Sequence, residues 1–219
     1  MNPYASILLL GATHSGKSTA LKRILSFYRK WQIVLLSDVA KYNREYQFVE
    51  DWSPRNAILP INAQTWEVLR RLVERQKAVA QRAGESRDFV AKHRIVLCLD
   101  DAISEEMDYQ FLGELLSRAR HLFIKVIIST QAAQASLRPL GRYNISLLLL
   151  GNIGAESVKY SYPMAGASGA HGIRSKKDFV AHYERTIRPY SFIRWSAADP
   201  RVPPRLVEST RVTAADTVV

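Results

Sequence analysis

The sequence predicts an α/β fold in which a central, mostly parallel β-sheet carries helices on both faces, and three stretches predict it. The first is Ile7-Leu-Leu-Leu-Gly-Ala-Thr-His-Ser-Gly-Lys-Ser-Thr19: an apolar run of strand length, a loop bounded by glycines, then Ala20, Leu21, Ile24, Leu25 and Tyr28 at helical spacing. The second is Arg94-Ile-Val-Leu-Cys-Leu-Asp100-Asp101, an apolar strand that closes on two acids. The third is Leu122-Phe-Ile-Lys-Val-Ile-Ile-Ser-Thr-Gln131, a strand that closes on Ser129, Thr130 and Gln131. In a parallel sheet the carboxyl ends of the strands line the ligand crevice, so such polar endings are where chemistry is expected.

The first stretch satisfies every position of the P-loop pattern G-x-x-x-x-G-K-[ST] with Gly11, Gly16, Lys17 and Ser18. Glycines let successive backbone N–H groups turn toward phosphate oxygens, and the following helix adds its positive N-terminal end. Gly11, Ala12, Thr13, His14, Ser15, Gly16, Lys17, Ser18 and Thr19 are therefore the candidate nucleotide-binding residues. Lys17 is expected to reach the β- and γ-phosphates of a nucleoside triphosphate, and the Ser18 hydroxyl to complete a Mg²⁺ shell. The plain alternative is a glycine turn ahead of a surface helix. After such a loop, a hydrophobic strand ending in Asp is expected to hold the metal, which assigns Asp100, and the next carboxylate to polarise the attacking water, which assigns Asp101. Aspartate is one methylene shorter than the glutamate common at that second position. Gln131 is placed to hydrogen-bond the γ-phosphate or the water, or simply to cap its strand.

Composition bounds the rest. With 219 residues, 47% of them hydrophobic, one α/β domain can bury a full core, over residues 1–196, with 197–219 as a tail ordered only where it docks. A single cysteine, Cys98 in an apolar run, excludes a disulfide framework and suggests an inert core thiol in a reducing compartment. No stretch has the length of a transmembrane helix, and the N-terminus lacks the features of a signal peptide. The net charge of +11 is concentrated: residues 70–94 and 171–205 each carry eight Lys or Arg against three acids. Such surfaces attract phosphate backbones by counterion release, although basic residues on helices are also often merely solvated.

The remaining elements follow in order. The first helix should end near Lys30, and 31–37 reads as a strand; 38–60 is mixed, with a short strand at 57–59. Asn62 is a candidate N-cap for a long helix to about Ala83, ended by Gly84, and 85–94 reads as a loop or frayed helix. Residues 104–121 read as a helix with a basic end, 145–150 as a core strand, 161–173 as a glycine-rich loop, 175–187 as a helix and 190–195 as a last strand. The loop could face DNA in a pore or be an ordinary surface loop.

Taken together, Gly11 to Ser18, the strand ending Leu99-Asp100-Asp101, and Arg118-Ala-Arg120-His121 leading into Ile127-Ile-Ser-Thr-Gln131 resemble the FtsK–HerA superfamily of RecA-like, DNA-pumping P-loop ATPases. Within it the sequence is most similar to the short genome-packaging ATPases of poxvirus-like and membrane-containing tailless icosahedral viruses, over about residues 5–195. The resemblance implies ATP hydrolysis with Mg²⁺, double-stranded DNA as the transported partner, a homo-oligomeric ring, hexameric or pentameric, and a capsid vertex or portal partner. It places the protein in the host cytoplasm and the virion. By position, Lys17, Asp101 and Gln131 would be catalytic, with Gln131 as sensor, and Ser18 and Asp100 would hold the metal. Arg120, in the Arg-His pair, would be a finger that completes a neighbouring subunit's site, with Arg118 and Arg142 as rivals. No DNA-contacting side chain is singled out. A filamentous-phage assembly ATPase shares the Arg-His feature but usually carries a membrane span, and a small-molecule kinase would also use the P-loop.

Overall fold

The computed structural model describes residues 2–39, 44–84, 86–101, 108–131, 144–165, 173–197, 199 and 201–218. Eight strands are found among them: β1 (Ile7–Leu10), β2 (Gln32–Leu36), β3 (Ala57–Leu59), β4 (Ile95–Asp100), β5 (Ile124–Thr130), β6 (Leu147–Leu150), β7 (Ser191–Ser196) and β8 (Arg205–Glu208). They form one sheet in the order β3-β2-β4-β5-β1-β6-β7-β8. Every pairing from β3 to β6 is parallel, and β7 and β8 add antiparallel at the edge. The parallel strands are buried on both faces, so they must be apolar at nearly every position, which is why β1 and β6 read Ile-Leu-Leu-Leu and Leu-Leu-Leu-Leu.

Seven α-helices cover the sheet: α1 (Lys17–Phe27), α2 (Gln47–Trp52), α3 (Ala63–Gln81), α4 (Arg87–Lys92), α5 (Tyr109–Arg118), α6 (Ala155–Ser161) and α7 (Lys176–Thr186) among the described residues. Strand alternation divides the core in two. Leu8 and Leu10 face a cluster built with Trp66 and Leu69 of α3, Leu112 and Leu116 of α5, and Phe179 of α7. Ile7 and Leu9 face the other, built with Leu21, Ile24 and Leu25 of α1 and Val49 of α2. Caps fix several helix starts: the side chains of Asn62, Ser86, Asp108 and Ser175 each accept a hydrogen bond from a first-turn N–H.

Some boundaries differ from the expectations. The first helix stops at Phe27, and Trp31 sits in a turn, donating its N–H to the Tyr28 carbonyl at 2.8 Å, so β2 starts one residue later. The described part of the helix expected over 104–121 is α5, followed by a 3₁₀ turn at Ala119–Leu122 and by Phe123 at φ 55°. Residues 44–52, left unassigned by the sequence, form a 3₁₀ turn and α2; residues 155–165 form α6 and another 3₁₀ turn. The expected glycine loop's Gly166, Gly169 and Gly172 lie outside the described residues.

Residues 201–218, within the segment set apart as a tail, pack onto the domain. β8 pairs with β7, and the fully buried Val212 joins the α1 side of the core. The Tyr28 hydroxyl lies 2.7 Å from Thr217 Oγ1, and Arg194 donates to the Val218 carbonyl at 2.8 Å. Lys125, fully buried on β5, donates to the carbonyls of Ala5 at 2.9 Å, Thr217 at 2.8 Å and Pro3 at 3.2 Å, so one amine ties both chain ends to the sheet.

Candidate nucleotide site

The strand order decides where the polar strand ends meet. Because β5 lies between β1 and β4, the loop after β1 and the acids after β4 flank the residue that follows β5, Gln131. Backbone bonds hold the three ends level: the Gly11 N–H donates to the Thr130 carbonyl at 3.1 Å, and the Asp101 N–H to the Ser129 carbonyl at 2.8 Å. The result is an open cleft of about 420 Å³ lined by Ala12, Thr13, His14, Gly16, Lys17, Ser18, Thr19, Asp101, Gln131 and Tyr190. Of the nine P-loop candidates, only Gly11 and Ser15 stand back from it. They pack on each other instead: a Cβ on Gly11 would collide with the Ser15 hydroxyl.

The loop takes its shape from two residues in the left-handed region, His14 at φ 61° and Gly16 at φ 90°. Gly16 is the N-cap of α1 and has no side chain to satisfy the helix start, which leaves first-turn N–H groups available to an anion. Lys17, 7% exposed, folds its amine onto the loop's own carbonyls, at 2.7 Å from Gly11 and 3.2 Å from Ala12. Burial lowers the pKa of that amine, and the charges of Asp101 and Asp100 act to raise it. The lysine is therefore held between a phosphate-sized cleft and two carboxylates.

Asp100 and Asp101 are adjacent in sequence and unlike in surroundings. Asp100 is 8% exposed, and its Oδ2 accepts a 2.6 Å hydrogen bond from the Tyr46 hydroxyl. Burial raises its pKa, which the Tyr46 hydroxyl opposes. Tyr46 in turn is kept protonated by burial and by that carboxylate, and its hydroxyl also interacts with Ser18. One phenol thus joins the two residues expected to hold a metal. A hydroxyl and a carboxylate, both hard oxygen donors, suit Mg²⁺, and a divalent ion would add positive charge beside the buried Asp100. Asp101, by contrast, is exposed at φ 45° and accepts from Gln131 Nε2 at 3.1 Å. Gln131 Oε1 accepts from the Thr13 hydroxyl at 2.9 Å. The Thr13–Gln131–Asp101 chain spans the mouth of the cleft from the P-loop to the exposed carboxylate.

Arg120 lies elsewhere. It precedes β5, whereas Gln131 follows it, so seven residues of strand, about 20 Å, separate the two. There Arg120 is exposed, donates Nε–H to His121 Nε2 at 3.1 Å, and borders a cavity with Tyr4, Ser6 and Asn144. Arg118 is likewise exposed at that end, and Arg142 lies outside the described residues. Neither Arg118 nor Arg120 enters the cleft of its own chain. Sequence reasoning missed Tyr46, Tyr190 and Ser209, whose side chain packs 3.0 Å from where a Cβ on Gly16 would stand. Tyr46 gave no signal because it lies in a stretch without periodicity, and Ser209 is distant in sequence.

A P-loop between β1 and α1, with β5 inserted beside the acid-ended β4, defines the P-loop ATPase fold. No protein-family model matches the chain, and no curated protein matches it. Among solved structures, the genome packaging NTPase B204 of Sulfolobus turreted icosahedral virus 2, in complex with AMP, superposes with a TM-score of 0.62 at 15% identity, covering 95% of this chain and 100% of that one. The pCW3 conjugation coupling protein TcpA gives 0.66 at 16% identity, over 94% of this chain and 60% of that one. The cytoplasmic domain of the Thermomonospora curvata type VII secretion ATPase EccC gives 0.66 at 15%, over 96% and 26%. The chain thus spans 60% of the length of TcpA and 26% of that of the EccC domain. These likenesses show the fold, so the α/β P-loop architecture expected from the sequence is the fold found.

Proposed function

We propose that the chain is an ATP-hydrolysing motor subunit that moves double-stranded DNA into a preformed viral capsid, working in a ring of identical copies in the infected cell's cytoplasm and at a vertex of the virion. The observation that carries the hydrolytic part is the meeting at one cleft of Lys17 and Ser18 from the start of α1, Asp101 from the end of β4 and Gln131 from the end of β5, with the buried Asp100 behind them. The P-loop N–H groups and Lys17 hold the triphosphate and take up charge that develops on the γ-phosphoryl oxygens. Ser18 and Asp100 would hold Mg²⁺, which when bound would supply positive charge to offset that of the triphosphate. Asp101 accepts a proton from the attacking water, and Gln131, fixed between Thr13 and Asp101, orients both. Since Arg120 stands at the far end of its own sheet, it acts on an adjacent subunit's γ-phosphate.

Net charge of +11 and a similar fold in a genome packaging NTPase covered over its full length support DNA packaging. A conjugation or secretion motor is the second reading, favoured by the TM-scores of 0.66 to TcpA and EccC. ATP hydrolysis measured with and without linear duplex DNA at low and high salt tests the proposal. DNA should stimulate hydrolysis several-fold at low salt and less at high salt, because phosphate contacts release counterions. Hydrolysis indifferent to DNA would point to protein transport, and the need for a small-molecule acceptor would point to a kinase.

A further inference from the structure

The cleft has a lip that phosphate chemistry does not require. Arg188-Pro189-Tyr190-Ser191 is a tight turn between α7 and β7, closed by the Ser191 N–H donating to the Arg188 carbonyl at 3.2 Å and by the Arg188 N–H donating to Ser191 Oγ at 3.0 Å. Proline suits the second position of such a turn. The third position holds Tyr190 at φ 54°, where a turn with positive φ favours glycine or asparagine. A bulky side chain in the left-handed region costs conformational energy, and residues held so cluster where ligands bind.

Packing does not explain the tyrosine. At 63% it is the most exposed of the large hydrophobic residues described, yet it lines the nucleotide cleft beside Gly16, Ser18 and Thr19. Its backbone is fixed: the Tyr190 carbonyl accepts from the Ser209 N–H at 2.9 Å, and Ser209 abuts Gly16. The cleft also has a direction. Asp101, Gln131 and Thr13 mark the end where the terminal phosphate is cleaved, so the nucleoside must leave the loop past Gly16 and Thr19 toward Tyr190.

We propose that Tyr190 is the base platform of the site, stacking its ring on the purine of the bound nucleoside triphosphate; this rests on the nucleotide-site reading above. Every base has a π-face, so stacking strengthens binding of ATP and GTP alike and does not choose between them.

Dissociation constants of the chain for ATP, GTP and inorganic tripolyphosphate, with Mg²⁺ present, test this. Tyr190→Phe should stay within about twofold of the parent for all three. Tyr190→Ala and Tyr190→Gly should weaken ATP and GTP by about tenfold and leave tripolyphosphate unchanged. Tyr190→Gly should also melt at a higher temperature than Tyr190→Ala, since glycine is at ease at this φ, which separates loss of the ring from damage to the turn. An unchanged ATP constant in Tyr190→Ala, or equal weakening of ATP and tripolyphosphate, would overturn the platform alone. A parent chain that binds neither ligand would overturn the platform and the nucleotide site together.

Discussion

Lys17 and Lys125 are both buried, both donate to backbone carbonyls, and sit at opposite ends of the same sheet. Lys125 is sealed: three carbonyls converge on its amine, burial alone pulls its pKa down to about 7, and no carboxylate is among the causes. Lys17 is held by only two carbonyls of its own loop, faces two carboxylates, and borders an open cleft. Burial of a lysine therefore says little about its role. What distinguishes a staple from a catalytic group is whether a cavity and complementary charge stand beside it. Backbone strain follows the same division: His14, Gly16, Asp101 and Tyr190, all at positive φ, surround the cleft, whereas Phe123 alone among the described residues has positive φ at the other end.

The largest expected effect breaks the comparison at Lys17. Lys17→Ala should lower ATP hydrolysis by about a thousandfold or more while the melting temperature stays close to the parent's, because the amine's partners are carbonyls of its own loop and tie no other element in place. A variant that loses activity only by unfolding would make Lys17 a second staple. Next comes Tyr46→Phe, which removes the hydroxyl that ties Asp100 to Ser18 without emptying the core. The Mg²⁺ concentration for half-maximal hydrolysis should rise on the order of tenfold, with little change at saturating Mg²⁺. An unaltered Mg²⁺ dependence would leave Tyr46 with only a packing role.

The smallest effect concerns Lys125. Its amine loses its proton near pH 7 when folded and near 10.5 when unfolded, so between those values the unfolded chain binds more protons and stability rises with pH. The rise is at most about 1.4 kcal/mol per pH unit, and Lys125→Met should flatten it in urea unfolding at pH 6.5, 7.5 and 8.5. Equal slopes in parent and variant would contradict the staple.

Much of this was legible in the sequence because short, continuous apolar runs such as Leu147–Leu150 fit strands buried on both faces, and because the P-loop couples residue type to backbone shape. Asn62 announced its helix by capping chemistry, whereas the cap at Ser175 is a finding of the structure. The structure supplied what periodicity does not encode. Tyr46 reaches Asp100 across 54 positions of sequence, and β8 follows a proline-rich stretch with a mostly exposed pattern, stabilised by Val207 and the docking of Val212. Nothing local marks Tyr190 as a cleft residue; only the fold brings its turn to Gly16.

The claim on which the rest depends is that cleavage occurs between copies, with Arg120 of one chain serving the Lys17 cleft of the next. Mixing Lys17→Ala protein with Arg120→Ala protein, each inactive alone, measures it directly. The account predicts that hydrolysis returns in part as the mixture equilibrates, because some seams then pair an intact cleft with an intact arginine; a mixture as inactive as its components would contradict it.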